Sequence, residues 1–254
     1  MVLAIDIGNT HIALGCFEER NLLFTELLST EKTYTDLEYA SLLKTALDFN
    51  GQSIDKISGA IISSVVPQVT DTIKKAVKRL SSIDPLIVGP GVKTGLKIKI
   101  DNPAQLGSDL VVSAVAGIKE YGVPQINIYM GTATAFSLID KDKSFVGTSI
   151  GAGMGIEAEA LSSRTSQLPN IAFETPKKVI GTNTIDSMKS GLIYQNAALI
   201  DGMIDRIEEE YGEKCVITAT GRYASIVAPL SKHKIIIDED MILKGLIYVY
   251  YKNQ

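Results

Sequence analysis

The sequence predicts an α/β protein built from two similar halves, residues 1–118 and 119–254. Three observations carry this prediction. One short signature occurs twice: Leu3-Ala4-Ile5-Asp6-Ile7-Gly8-Asn9-Thr10 runs into Ile12–Phe17, and Ile126-Asn127-Ile128-Tyr129-Met130-Gly131-Thr132-Ala133-Thr134 runs into Ala135–Ile139. After each copy, apolar strand-like runs alternate with helix-spaced segments, the pattern of a sheet covered by helices. At 254 residues with 45% hydrophobic content, the chain is long enough for two cores.

The repeated signature has a chemical logic. A turn of glycine and small residues lets backbone N–H groups approach an anion, and Asn and Thr side chains add neutral donors. Two such turns facing each other would clamp a polyphosphate. Aligning Gly8 with Gly131 sets Asp6 opposite Tyr129, so one half carries a carboxylate that the other lacks. A carboxylate beside phosphate repels it unless a cation such as Mg²⁺ stands between them.

The elements follow in order. After the first hairpin and a strand near Leu22–Leu28, Leu37, Ala40, Leu43 and Leu47 form a helical stripe over 35–48. Ile57–Val65 reads as a buried strand ending at Ser63-Ser64-Val65-Val66-Pro67, ahead of a helix over 68–80. A short strand at 85–88 and an alternating segment at 95–100 precede Asp101-Asn102-Pro103, and a helix over 104–121 bridges the halves. In the second half, the hairpin and a strand over 144–150 lead to Gly151-Ala152-Gly153-Met154-Gly155. Those glycines lack dinucleotide-fingerprint spacing and read as a strand-to-helix turn. A long helix starts at Thr182-Asn183-Thr184 and reaches Tyr211, with Asp186 complementing its dipole. Strands at 216–218 and 235–237 and a helix over 241–250 complete the chain.

Composition excludes several function classes. The net charge of −4 offers no general attraction to nucleic acid or anionic membranes. Two histidines, His11 and His233, are too few for a zinc cluster or a Ser-His-Asp hydrolase in convincing spacing. Cys16 and Cys215 lie in apolar runs and read as free thiols, which fits a reducing cytoplasm. The first apolar run is short and contains Asp6, so it is neither a signal peptide nor a membrane span.

Taken together, the motifs resemble the type III pantothenate kinases over essentially the whole length. They are Asp6–Thr10, Ser63–Pro67, Asp101-Asn102-Pro103 with Gly107-Ser108-Asp109, Gly131–Thr134, Leu168-Pro169, and Gly181–Thr184 with Met188 and Gly191. The resemblance implies two duplicated ribonuclease-H-like (actin-like ATPase) halves, each a mixed β-sheet flanked by helices. It also implies ATP-dependent phosphorylation of pantothenate to 4′-phosphopantothenate, the first step of coenzyme A synthesis. In that reading Asp109 is the catalytic base and Asp6 holds Mg²⁺ through water. Gly8, Asn9, Thr10, Gly131, Thr132, Ala133, Thr134 and Gly221 bind ATP, while Gly107, Ser108 and Thr184 bind pantothenate. The family resemblance further implies a homodimer with the pantothenate site at the subunit interface.

Four positions depart from the family's motifs. Leu110 stands where the family has the arginine for the pantothenate carboxylate, and Ile100 where it has tyrosine. Tyr129 replaces a carboxylate that helps hold a monovalent cation, K⁺ or NH₄⁺, and Arg222 replaces a glycine beside the adenosine. Lys97, Lys99 and Arg164 are the cations available to the substrate carboxylate, and Arg222 is available to phosphate. Two alternatives stay open at this point. One is an impaired paralogue that binds nucleotide or pairs with another family subunit; the other is a kinase for a different small alcohol.

Overall fold

A computed structural model describes all 254 residues. Two compact units emerge. The first comprises Met1–Leu96, Asp101–Ala116 and Asp240–Gln254, and the second Lys97–Ile100 and Gly117–Glu239.

The first unit is organised by a five-stranded sheet of order β3-β2-β1-β4-β5. Its strands are β1 (Val2–Ile7), β2 (His11–Glu18), β3 (Asn21–Ser29), β4 (Gly59–Ser64) and β5 (Leu86–Ile87). The first three form an antiparallel meander, while β4 and β5 run parallel to β1. Parallel neighbours need crossovers, supplied by α1 (Asp36–Phe49) and α2 (Pro67–Ser81). A capping box starts α1: the Thr35 hydroxyl accepts from Glu38 N–H, and Glu38 Oε2 accepts from Thr35 N–H at 2.7 Å. Pro67 opens α2, at a position where no N–H is required.

Every residue of β1 is buried, because helices cover both faces of the sheet. Leu3, Ile5 and Ile7 join Leu43, Leu47, Val69 and Ile73 in one core. Val2, Ala4 and Asp6 alternate to the opposite face. The C-terminal helix α7 (Met241–Lys252) packs on β1, β2 and β4. The helix spacing over 104–121 resolves into two pieces. Pro103–Gln105 is a separate 3₁₀ turn capped by Asn102, Leu106 is extended, and α3 runs from Ser108 to Glu120.

The second unit repeats the plan. Its sheet has the order β11-β10-β7-β8-β9-β6, and β7 (Gln125–Met130), β8 (Ala133–Ile139) and β9 (Ser144–Ala152) form the antiparallel meander. Parallel strands β10 (Val216–Thr220) and β11 (Ile235–Ile237) extend β7, just as β4 and β5 extend β1. Short β6 (Lys97–Ile98) adds an edge beside β9. Ile126, Ile128 and Met130 pack against Ile193, Ile200 and Ile204 of α5 (Thr184–Tyr211). Gly153 caps α4 (Met154–Arg164), and the one-turn helix α6 (Ala224–Val227) follows β10. No helix is long and apolar enough to cross a membrane.

Candidate active site

In the first unit, the parallel pairing of β1 with β4 sets Asp6 level with Ser63. The Asp6 carboxyl is buried, and its pKa rises from 3.8 to about 7. Burial is the main cause, the charge of Asp109 adds to it, and a hydrogen bond from Ser63 opposes it. Two carboxyls thus lie within electrostatic reach of each other, a concentration of negative charge suited to a divalent cation. The adjoining turn is pinned by Gly8 N–H donating to His11 O at 3.0 Å and by the Thr30 hydroxyl donating to Gly8 O at 2.8 Å. Asn9 and Thr10 are exposed at its tip.

Asp109 stands in the first turn of α3, and its pKa is also raised, chiefly by burial. Its Oδ1 accepts from Leu110 N–H at 2.9 Å, which works against the rise. A Cβ at Gly107 would collide with that same oxygen, so only glycine leaves the carboxylate its place. Ser108 fastens the helix start to β4. Its hydroxyl lies 2.9 Å from that of Ser63, donates to Ser64 O at 3.1 Å and accepts from Ser64 N–H at 3.0 Å. Asp6, Ser63, Gly107, Ser108 and Asp109 therefore form one hydrogen-bonded and electrostatic group.

The second unit holds another group of expected residues. The β7–β8 turn is closed by Gly131 N–H donating to Ala133 O at 3.0 Å and braced by Gly153 N–H donating to Thr132 O at 3.1 Å. Gly221 follows β10 with φ +96°, and a Cβ there would stand 2.6 Å from Met130 O. The structure thus sets Gly221 against the end of β7, next to Gly131–Thr134. Tyr129 lays its ring on Gly131, where a Cβ would meet ring atoms at 2.8 Å. Arg222 is exposed, with its guanidinium over the Tyr223 ring at 5.1 Å. Thr184 lies elsewhere, lining a cavity of about 940 Å³ walled by α4 and α5, which none of the hairpin residues reach.

A family model described as type III pantothenate kinase matches residues 2–206. A type III pantothenate kinase of Halalkalibacterium halodurans is 40% identical over 253 residues, covering 100% of both chains. This chain belongs to the type III pantothenate kinase family. A second member, from an Exiguobacterium species, is 41% identical over 254 residues with 100% coverage of both. Distant solved structures share the fold alone. The activator of 2-hydroxyisocaproyl-CoA dehydratase from Clostridium difficile has a TM-score of 0.56 at 11% identity, covering 99% of this chain and 93% of its own. The ROK hexokinase of Thermus thermophilus has a TM-score of 0.51 at 11% identity, covering 100% and 99%. Both sheets and their repeated strand order fit the actin-like ATPase architecture.

Within this type III pantothenate kinase, two of the departures, Leu110 and Tyr129, have defined surroundings. Leu110 is only 8% exposed, so it has become part of the apolar interior beside Val111 and Ala114. Tyr129 offers a phenol and a ring stacked on the turn, and no carboxylate. The Ser108 hydroxyl network was invisible in the sequence, because its partners are Ser63 and Ser64 at the end of a distant strand.

Proposed function

We propose that the chain transfers the γ-phosphoryl group of ATP to the hydroxyl of pantothenate, giving 4′-phosphopantothenate in the first step of coenzyme A synthesis. Full-length identity of about 40% to named type III pantothenate kinases carries this reading. The buried Asp6 and the half-buried Asp109, within electrostatic reach of each other, support the assignment of roles. Phosphoryl transfer demands positioning and charge neutralisation above all, and one oriented carboxylate suffices as base.

Asp109 accepts the hydroxyl proton; burial has raised its proton affinity, which favours that task. Asp6 would hold Mg²⁺ through water, an ion that would supply neutralisation of the phosphate charge. Backbone N–H groups and hydroxyls at Gly8–Thr10 and Gly131–Thr134 take the phosphates, and Gly221 borders the adenosine. Gly107, Ser108 and Thr184 contact pantothenate. The Tyr129 ring supports a reaction without a monovalent cation at that position.

The same reading includes a cytoplasmic homodimer. Exposed Val179, Ile180 (81%) and Ile185 beside the Thr184 cavity support an apolar contact with a second copy, and the free thiols of Cys16 and Cys215 fit a reducing compartment. A coupled ADP-release assay with ATP, Mg²⁺ and pantothenate tests the activity. Turnover in the parent and its fall by about 10²- to 10⁴-fold in Asp109→Asn are expected; a parent without turnover refutes the reading.

A further inference from the structure

Pantothenate ends in a carboxylate, and a carboxylate held in a binding site calls for a cation, most effectively a planar guanidinium. Three candidates lie in the second unit apart from Arg222, whose guanidinium rests on Tyr223. Lys99 is committed: its ammonium meets Asp140 at 2.7 Å, and that hydrogen bond raises its pKa. Lys97 sits on the edge strand β6 and does not line the cavity that contains Thr184. Arg164 does line it, as the cavity's only cationic side chain.

The surroundings of Arg164 suit a ligand of this kind. Its guanidinium has no ion-pair partner. The one carboxylate on the cavity wall, Glu157, is engaged by Asn196 Nδ2 at 2.7 Å. Thr182 and Thr184 stand on the same wall, at the positive end of the 28-residue helix α5, where the Asn183 amide is taken up by Asp186 as the helix cap. Leu161 and Met188 add apolar surface to the wall. A volume of about 940 Å³ accommodates the ligand.

We propose that Arg164 binds the substrate carboxylate and sets the preference for pantothenate over its uncharged amides; this rests on the kinase reading above. The test is calorimetry and steady-state kinetics with two ligands, pantothenate and the uncharged N-pentylpantothenamide, on the full-length parent, Arg164→Gln and Arg164→Lys. Loss of a charge-assisted contact predicts a rise of about 10- to 100-fold in Kd and KM for pantothenate in Arg164→Gln. The ratio of pantothenate to amide affinity falls by the same factor, and Arg164→Lys recovers part of it. A parent that phosphorylates pantothenate while Arg164→Gln leaves the ratio unchanged, whether both ligands weaken equally or neither does, overturns the role of Arg164 alone. A parent that neither binds nor phosphorylates pantothenate overturns this role together with the kinase reading.

Discussion

Replacing Asp6 by asparagine should stabilise the metal-free protein at alkaline pH while ending its turnover. The Asp6 pKa is raised from 3.8 to about 7 by burial and by the charge of Asp109, so the ionised form is disfavoured in the folded state. The penalty is absent well below the unfolded value, grows as pH rises between the two, and is complete above the folded one. A separation of roughly three units corresponds to about 4 kcal/mol at pH 8. Lowering the pH from 8 to 5 returns roughly 2–3 kcal/mol of it to the parent, and none to Asp6→Asn. At about 2–4 °C per kcal/mol for a chain of this size, the gap in Tm should narrow by roughly 5–10 °C. Thermal unfolding of both proteins in EDTA across that pH range measures it. A gap that stays constant with pH, or an Asp6→Asn protein less stable at pH 8, would refute the electrostatic account.

Three further outcomes follow from the same geometry. Gly107→Ala forces Asp109 from its position and should lower kcat about 10²-fold with little change in global stability, read by kinetics beside circular dichroism. Ser108→Ala removes the bonds to Ser63 and Ser64 and should cost about 1–3 kcal/mol in denaturant unfolding; an unchanged midpoint would mean those bonds contribute nothing net. Replacing K⁺ by Na⁺ at constant ionic strength should leave turnover within about twofold, because Tyr129 provides no carboxylate; Tyr129→Asp tests whether a dependence can be installed.

Much of this was legible in the sequence, for identifiable reasons. Both hairpins, the α1 stripe and the long α5 announce themselves through local periodicity and caps, which need no tertiary information. The strand at 216–218 extends in fact to Thr220, because Ala219 and Thr220 continue the parallel pairing with Ile128 and Tyr129. The helix over 104–121 begins only at Ser108, since Asn102 caps a separate 3₁₀ turn and Leu106 is extended. Long-range relations left no local trace. Neither the bond from Ser108 to Ser64 nor the burial of Leu110 has a sequence signature, and Arg164 stands out only once Lys99 is seen paired with Asp140.

The return of α7 to the first sheet affects how the molecule is made. Asn253 exchanges two hydrogen bonds of 3.0 Å with the backbone of Lys93, and α7 covers β1, β2 and β4. The first unit is thus discontinuous along the chain: its sheet is sealed by residues 240–254, which are synthesised after every strand they cover. The second unit is built from residues 97–100 and 117–239, all of which are synthesised before α7. A stop codon just before α7 would therefore harm the oldest part of the nascent chain, leaving the buried face that carries Asp6 open to water.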